Sequence, residues 1–415
     1  MSQPWRSAKG LGSHPRHDLL TSHLQVSGQL KEAFVKIQCH SRELLDAITL
    51  VSAVVPSNPT RPVLQSVRMI ASKSGLRIEG TDLEVGLSAQ VDEVMVEEEG
   101  VVVIPCSRLH GILRETQSPE ITFSDDGKGH ISIKAGRSHF KVPTGPADEF
   151  PAIEFKPPSP ALTLPREEML QGLKRVSVAA ARDATRFQMH SVLFDCRDDG
   201  IRMVSTDGKR MAVSQIAGEE SKRKTINNGQ YILPLKGVDL LNRILAGEVE
   251  DEVELHLDQN EITYSSERVS LSCRLVEGRF PEYERAIPDT IEQAYDARVE
   301  DLLSALRQAA LMTTKETNSV RFEFTNESLQ LSTFASNVGE SQIEIAVEKS
   351  YGEEDEFVIH FNPGYLIDLL KAVDSDKIRC GFRDRRTAGL FSIPENEMAY
   401  RHIVMPLVIQ DGKSD

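Results

Sequence analysis

The sequence predicts an α+β protein of three repeated domains, each with two helices packed on antiparallel sheets. Three observations carry this expectation. Six amphipathic segments recur at nearly constant spacing, and runs of alternating apolar and polar residues fill the intervals between them. A proline-broken stretch at 275–288, Leu-Val-Glu-Gly-Arg-Phe-Pro-Glu-Tyr-Glu-Arg-Ala-Ile-Pro, also has a shorter echo 130 residues upstream, where Phe150-Pro151 stands for Phe280-Pro281. Phe280, Tyr283 and Ile287 are wasted in a mere spacer, so the stretch is expected to pack against a sheet and close one domain before the next begins.

Composition sets the bounds. At 415 residues the chain is long enough for two to four domains with cores of their own. A single Trp and 6% aromatic residues predict cores made mostly of Val, Leu and Ile. No apolar run approaches the ~18–20 residues of a membrane span, and no secretory apolar segment opens the chain. Five cysteines, at 39, 106, 196, 273 and 380, are odd in number and lack metal-ligand spacing, which predicts reduced, buried thiols in a cytosolic protein and no metal site. A net charge of −15 argues against wholesale coating of nucleic acid but leaves room for a local basic face.

In chain order, residues 1–34 are rich in Gly, Ser, His, Pro and basic residues without periodicity, which predicts a disordered extension. An alternative is a start assigned too early, with Val35 in the initiator's place. Helical spacing then begins at Ser41, with Ser41 expected as N-cap, and again at Cys106, Arg166, Leu235, Glu300 and Pro363, at intervals of 65, 60, 69, 65 and 63 residues. Strands are expected at Ile131–Val142, Val253–Leu257, Val269–Leu275, Ser341–Val347, Phe357–Phe361 and Ala388–Ile393. Leu76-Arg-Ile-Glu-Gly-Thr-Asp, Ile201-Arg-Met-Val-Ser-Thr-Asp and Leu329-Gln-Leu-Ser-Thr-Phe mark one strand in three copies. The boundaries are read as 1–34 extension, 35–156, 157–288 and 289–409 domains, and 410–415 tail.

Six units of one helix each suit closure into a ring or arc with the helices on a common face. The helix windows hold eleven Lys/Arg against ten Asp/Glu in a chain of −15, so the excess acid lies elsewhere. Several of the acids fall in first turns, where they complement the helix dipole. A mildly positive helical face suits a polyanion held without specific grip.

Several motifs in order then resemble the bacterial DNA polymerase III beta subunit family, the sliding clamps. They are Gly80-Thr-Asp-Leu-Glu, Gly136-Arg-Ser-His-Phe with Ala147-Asp-Glu-Phe-Pro, Thr206-Asp-Gly-Lys-Arg-Met-Ala, Val276-Glu-Gly-Arg-Phe-Pro-Glu-Tyr, Phe361-Asn-Pro-Gly-Tyr-Leu-Ile-Asp and Val404-Met-Pro-Leu, spread over residues 35–409. The resemblance implies three clamp domains, a head-to-tail homodimer closed as a ring around duplex DNA, and no cofactor. It implies a pocket for partner peptides from the replicative polymerase, the clamp loader and repair proteins, at Met189, Thr206, Gly208, Lys209, Arg210, Met211, Pro281, Arg285, Ala286, Ile403, Val404, Met405, Pro406 and Leu407. Arg210 or Arg285 would meet peptide carbonyls or acids. Lys209 departs from the common His, and Ala286 from the larger Val. Expected DNA-facing residues are Arg114, Arg186, Phe187, Gln188, Lys236 and Arg243, with Arg61 standing near a position where the family carries Arg and this chain has Asn58. Leu109, Ile112, Leu311 and Met312 are the expected dimer contacts.

No HExxH, GxSxG or P-loop supports catalysis. Thr81-Asp82 and Thr206-Asp207 read as turn-forming Asx chemistry, and any polymerase or nucleotidyltransferase label belongs to the holoenzyme. The expected place of work is the cytoplasm, on the nucleoid. Two rivals stay open: a peptide-binding scaffold paralogue that never encircles DNA, and a hydrolase or transferase using the Thr-Asp turns.

Overall fold

A computed structural model describes residues 35–155, 161–183, 188–217, 229–314, 318–335 and 339–408. The expected extension 1–34 and tail 410–415 lie outside the described residues. The chain divides into two compact units, one ending at Lys156 and one beginning at Pro157.

The helices begin where periodicity placed them: α1 (Ser41–Ser52), α2 (Cys106–Glu115), α3 (Arg166–Ser177), α4 (Leu235–Gly247), α5 (Val299–Ala310) and α6 (Pro363–Ala372). Each follows a strand with at most one residue between, so the last extended residue serves as N-cap. Ser41 is therefore not the cap. His40, still extended at φ −71° and ψ 127°, takes that place without a side-chain bond. Ser41 is the first helical residue and its buried Oγ finds no partner. Its backbone N–H donates to the Pro119 carbonyl at 2.9 Å, and the same device recurs in the other repeats, Arg166 to Asp251 at 2.8 Å and Val299 to Asp376 at 2.9 Å. Backbone carbonyls thus do the capping that side chains usually do. Only α6 shows a side-chain cap among the described residues, Asn362 accepting from Gly364 N.

In the first unit one run of strands is ordered 94–98, 36–40, 120–125, 130–135 and 138–143, and a second is ordered 85–91, 75–81, 66–72 and 100–105. The expected run Ile131–Val142 is two strands, His130–Ala135 and Ser138–Pro143, turned at Gly136, whose φ of 58° suits glycine. In the second unit, strands 161–165, 252–257, 261–265 and 269–274 follow one another. A twelve-stranded sheet carries the other strands of the second repeat and all those of the third, joined where Arg210–Ala217 pairs antiparallel with Tyr400–Val404. The two helices of each repeat pack side by side.

The cores differ from the composition-based expectation in one respect. The third repeat gathers Phe322, Phe324, Phe357, Phe361, Phe382 and Phe391 with Tyr295, all buried and in mutual ring contact. A low overall aromatic content hides this local concentration.

The Thr-Asp turns are built alike. Thr81 Oγ1 donates to the Val85 carbonyl and accepts from Leu83 N, while Asp82 Oδ1 accepts from Glu84 N and Val85 N. Thr206 and Asp207 repeat this with Arg210, Gly208 and Lys209. The third turn position needs positive φ: Gly208 sits at 87° and Leu83 at 80°, the only non-glycine so placed among the described residues. Leu83 is also exposed, so its side chain does little to offset the strain. Leu83→Gly is expected to stabilise the first unit by about 0.5–1 kcal/mol, measured by urea unfolding; Leu83→Ala, which keeps the Cβ, brings no such gain.

Candidate functional site

The three copies share one sheet scaffold but differ in what they place on the face away from the helices. In the second copy Leu193 opposes Val204. The matching pair in the first copy is Arg68 opposite Glu79, a buried ion pair that Arg77 also joins, and in the third it is Arg321 opposite Ser332. In the second copy this pair is apolar, and there the stretch 275–288 lies down as a strap. Phe280 and Tyr283 are buried with Leu193, Val204, Met211, Val213, Ile232, Ala388 and Ile403, and Val276 and Ile287 pack against them. The shorter echo behaves likewise, burying Phe150 beneath the Arg68 guanidinium.

A polar clamp fixes the strap. Tyr283 donates its hydroxyl to Asp195 Oδ2 at 2.6 Å, and Arg197 donates to the Tyr283 oxygen at 3.0 Å. Arg197 also pairs with Asp195 at 2.6 Å and Glu284 at 2.7 Å. Burial, and then the bond to Asp195, push the Tyr283 hydroxyl up to about 12, so it stays a donor throughout the physiological range. The Asp195 bond raises the Arg197 guanidinium further above its usual value.

Beside the strap the chain leaves Tyr400–Val404 and runs out as Met405-Pro406-Leu407. Met405 N donates to the Lys209 carbonyl at 2.9 Å and Leu407 N to the His360 carbonyl at 2.8 Å. Met405 is 50% and Leu407 38% exposed, next to Met211 and Ile403, which lie buried under the strap, and Val404, which is buried on the opposite face of the strand. An exposed methionine and leucine at this edge make a surface that can re-pack around different ligands. Gly208, Lys209, Pro281, Arg285 and Ala286 are exposed nearby, and Met189 is half-buried. Thr206 is spent on its turn.

The two arginines separate in role. Arg210 is 7% exposed; it donates to Asp207 at 3.1 Å and Asp368 at 2.9 Å, and lies 4.6 Å over the Tyr365 ring. Buried and engaged with these partners, it braces the turn that carries Lys209 and is the less available of the two arginines expected to meet a peptide. Arg285 has its side chain 84% exposed and holds only a surface pair with Glu282 at 2.8 Å, worth under ~1 kcal/mol, so it is the arginine that can turn to a ligand. Sequence reasoning missed Tyr365 and Asp368; the motif Phe361-Asn-Pro-Gly-Tyr-Leu-Ile-Asp contained both, but nothing local tied them to Arg210.

On the opposite face of the strand, Tyr400 and His402 face the helices and are wholly buried. The Tyr400 oxygen lies 2.9 Å from His402 Nδ1, and the Arg175 guanidinium sits 5.6 Å over the Tyr400 ring. Burial first, and the Arg210 charge second, hold the His402 imidazole down to about 3.

Among the expected DNA-facing residues, Arg114 and Arg243 are exposed on α2 and α4, Arg114 beside Glu115 at 3.1 Å, and Lys236 is half-buried on α4. Arg61 folds back to donate to the Glu149 carbonyl at 2.7 Å. Gln188 lies against the strap, its amide nitrogen 2.9 Å from where a Cβ on Gly278 would stand. Arg186 and Phe187 lie outside the described residues. Of the expected dimer contacts, Leu109 is fully buried in its own core and cannot meet a partner, because α2 turns that side onto its own sheet. Ile112 is half-buried at a groove of about 1220 Å³ between α2 and the outermost strand Ser138–Pro143, which Phe140 also lines. Leu311 is 74% exposed, and Phe334, which sequence reasoning did not single out, 77%; Met312 is half-buried.

Three copies of a two-helix, antiparallel-sheet unit define the class of processivity clamps. Family models of the DNA polymerase III beta subunit match in order: the N-terminal domain over residues 35–154, the central domain over 163–282 and the C-terminal domain over 284–408. The chain belongs to this family. It is 28% identical over 364 residues to the beta sliding clamp of Pseudomonas aeruginosa, covering 88% of this chain and 97% of the relative. With that of Haemophilus influenzae it shares 29% over 372 residues, 88% of this chain and 98% of the relative. The crystal structure of the P. aeruginosa subunit superposes with a TM-score of 0.81 at 27% identity, covering 90% of this chain and all of that one. The Thermotoga maritima subunit gives 0.82 at 25%, covering 91% and 100%.

Two expectations follow. Tyr283→Phe leaves the buried Asp195 short of a donor and should cost about 1–2 kcal/mol in urea unfolding. His402 is neutral when folded and binds a proton near its usual 6.5 when unfolded, so its contribution is complete above that pH and is lost as pH falls toward 3. The melting temperature of the wild type should fall more steeply below pH 6.5 than that of His402→Gln; parallel curves would contradict this.

Proposed function

We propose that this chain is a non-catalytic sliding clamp. It closes head-to-tail with a second copy into a ring around duplex DNA and tethers the replicative polymerase, the clamp loader and repair proteins by peptides docked in an apolar slot edged by Met405 and Leu407. The observation that carries the reading is the exposed apolar edge of Met405 and Leu407, held to the second repeat at Lys209 and to the third at His360, in a chain that the family models span. The groove beside the unpaired side of Ser138–Pro143, and the exposed Leu311 and Phe334, supply apolar surface for the second copy. Exposed Lys174, Arg182 and Arg243 around α3 and α4, with Arg42, Arg108 and Arg114 on the first repeat's helices, suit sequence-independent contact with phosphates. Such a protein works in the cytoplasm on the nucleoid and needs no cofactor. The reading favours the clamp over a peptide scaffold because the basic side chains recur on the helices of every repeat.

Retention on DNA tests it. Loaded by a clamp loader onto nicked circular DNA, the protein should stay bound at salt that screens phosphate contacts and be lost when the circle is cut. Retention on linear DNA, or failure to load, would replace the ring by a peptide-binding scaffold.

A further inference from the structure

A second cavity, of about 310 Å³, opens on the strap-covered sheet face, among Arg202, Tyr283, Glu284, Ile287, Met398 and Arg401. Arg202 and Arg401 stand two residues along their strands from Val204 and Ile403, which the strap covers. They point to the same face, on the side away from Met405 and Leu407. The strap thus divides one face into an apolar slot and an arginine-lined cavity.

Arg401 is the exceptional member. It is half-buried, its Nε is sealed from solvent without a hydrogen-bond partner, and among the described residues no carboxylate forms an ion pair with it. Burial first, and the neighbouring Arg202 second, depress its guanidinium. The nearby acids are committed elsewhere: Glu284 holds Arg197 at 2.7 Å and stands 3.6 Å from Arg202, whose closer pair is Asp199 at 2.7 Å. Asp289, at the cavity wall, is exposed. An arginine buried this far without a counter-ion is costly unless an anion arrives. Two planar guanidinium groups beside Ile287 and Met398 fit a carboxylate carried next to an apolar group.

We propose that Arg401, with Arg202, receives a carboxylate of the peptide docked in the slot, so that the chain favours partners with an acidic residue or chain end flanking their apolar anchors. This rests on the docking reading above. Met405 stands four residues along the chain from Arg401, roughly 13 Å when extended, a span that residues flanking a peptide's apolar anchors can cover.

The probe is fluorescein-labelled Ala-Leu-Ala-Leu-Phe, extended at either end by Gly-Gly-Asp or Gly-Gly-Asn and followed by anisotropy. At one end the Asp peptide should bind about 5- to 10-fold tighter than its Asn twin. Arg401→Gln should abolish that difference and leave the Asn peptide's affinity unchanged. Arg401→Met, of similar reach but uncharged, serves if Gln disturbs folding, and the wild-type difference can be read without either variant. Equal binding of Asp and Asn peptides overturns the proposal while the docking reading stands; no binding by any peptide overturns both. Sodium sulfate that raises the melting temperature of wild type but not of Arg401→Gln, with no gain for Asp, assigns the cavity to a free anion and overturns the peptide source.

Discussion

The antiparallel pairing of Arg210–Ala217 with Tyr400–Val404 is the constraint on which the rest of the second unit depends. It carries one sheet across two repeats whose sequences are far apart. It sets Met211 opposite Ile403, where the strap covers both, and Arg210 opposite Val404, which delivers Arg210 to Asp368 and Tyr365. It also aims the outgoing chain so that Met405 and Leu407 find backbone acceptors on two different repeats. A slip of one residue would exchange the faces, turning Tyr400 and His402 toward the strap and Ile403 toward the helices.

This joint is held from both sides by different means. On one side the strap contributes buried aromatic area and one polar clamp, Tyr283 to Asp195. On the other, the helices enclose Tyr400, His402 and Arg175 beside Arg210, which Asp207 and Asp368 hold. The first is hydrophobic and directional, the second depends on protonation. On the proposed docking reading such rigidity favours binding, since a surface already in place costs little to order.

Much of this was legible in the sequence, for physical reasons that differ from element to element. Helix starts follow from local periodicity, and the Thr-Asp turns from side chains that bond their own backbone within four residues. Phe280 and Tyr283 announced a packed strap because aromatic residues have no place in a spacer. What escaped depends on partners distant in sequence. Ser41 is capped by a carbonyl 78 positions away at Pro119, so a local rule misassigned it. Leu109 and Arg210 look like surface residues until the chain is folded over them. The arginine cavity has no signature at all, since Arg202 and Arg401 are nearly 200 positions apart.

The divergence of one cross-strand pair sets a stoichiometry. Leu193 and Val204 admit an apolar strap, whereas Arg68 with Glu79, or Arg321 with Ser332, place charge or hydroxyl on the matching face. On the docking reading proposed above, a threefold repeat offers one berth at this joint, and proteins that use it take turns, ordered by exchange rates and local abundance at one address rather than seated side by side on the same chain.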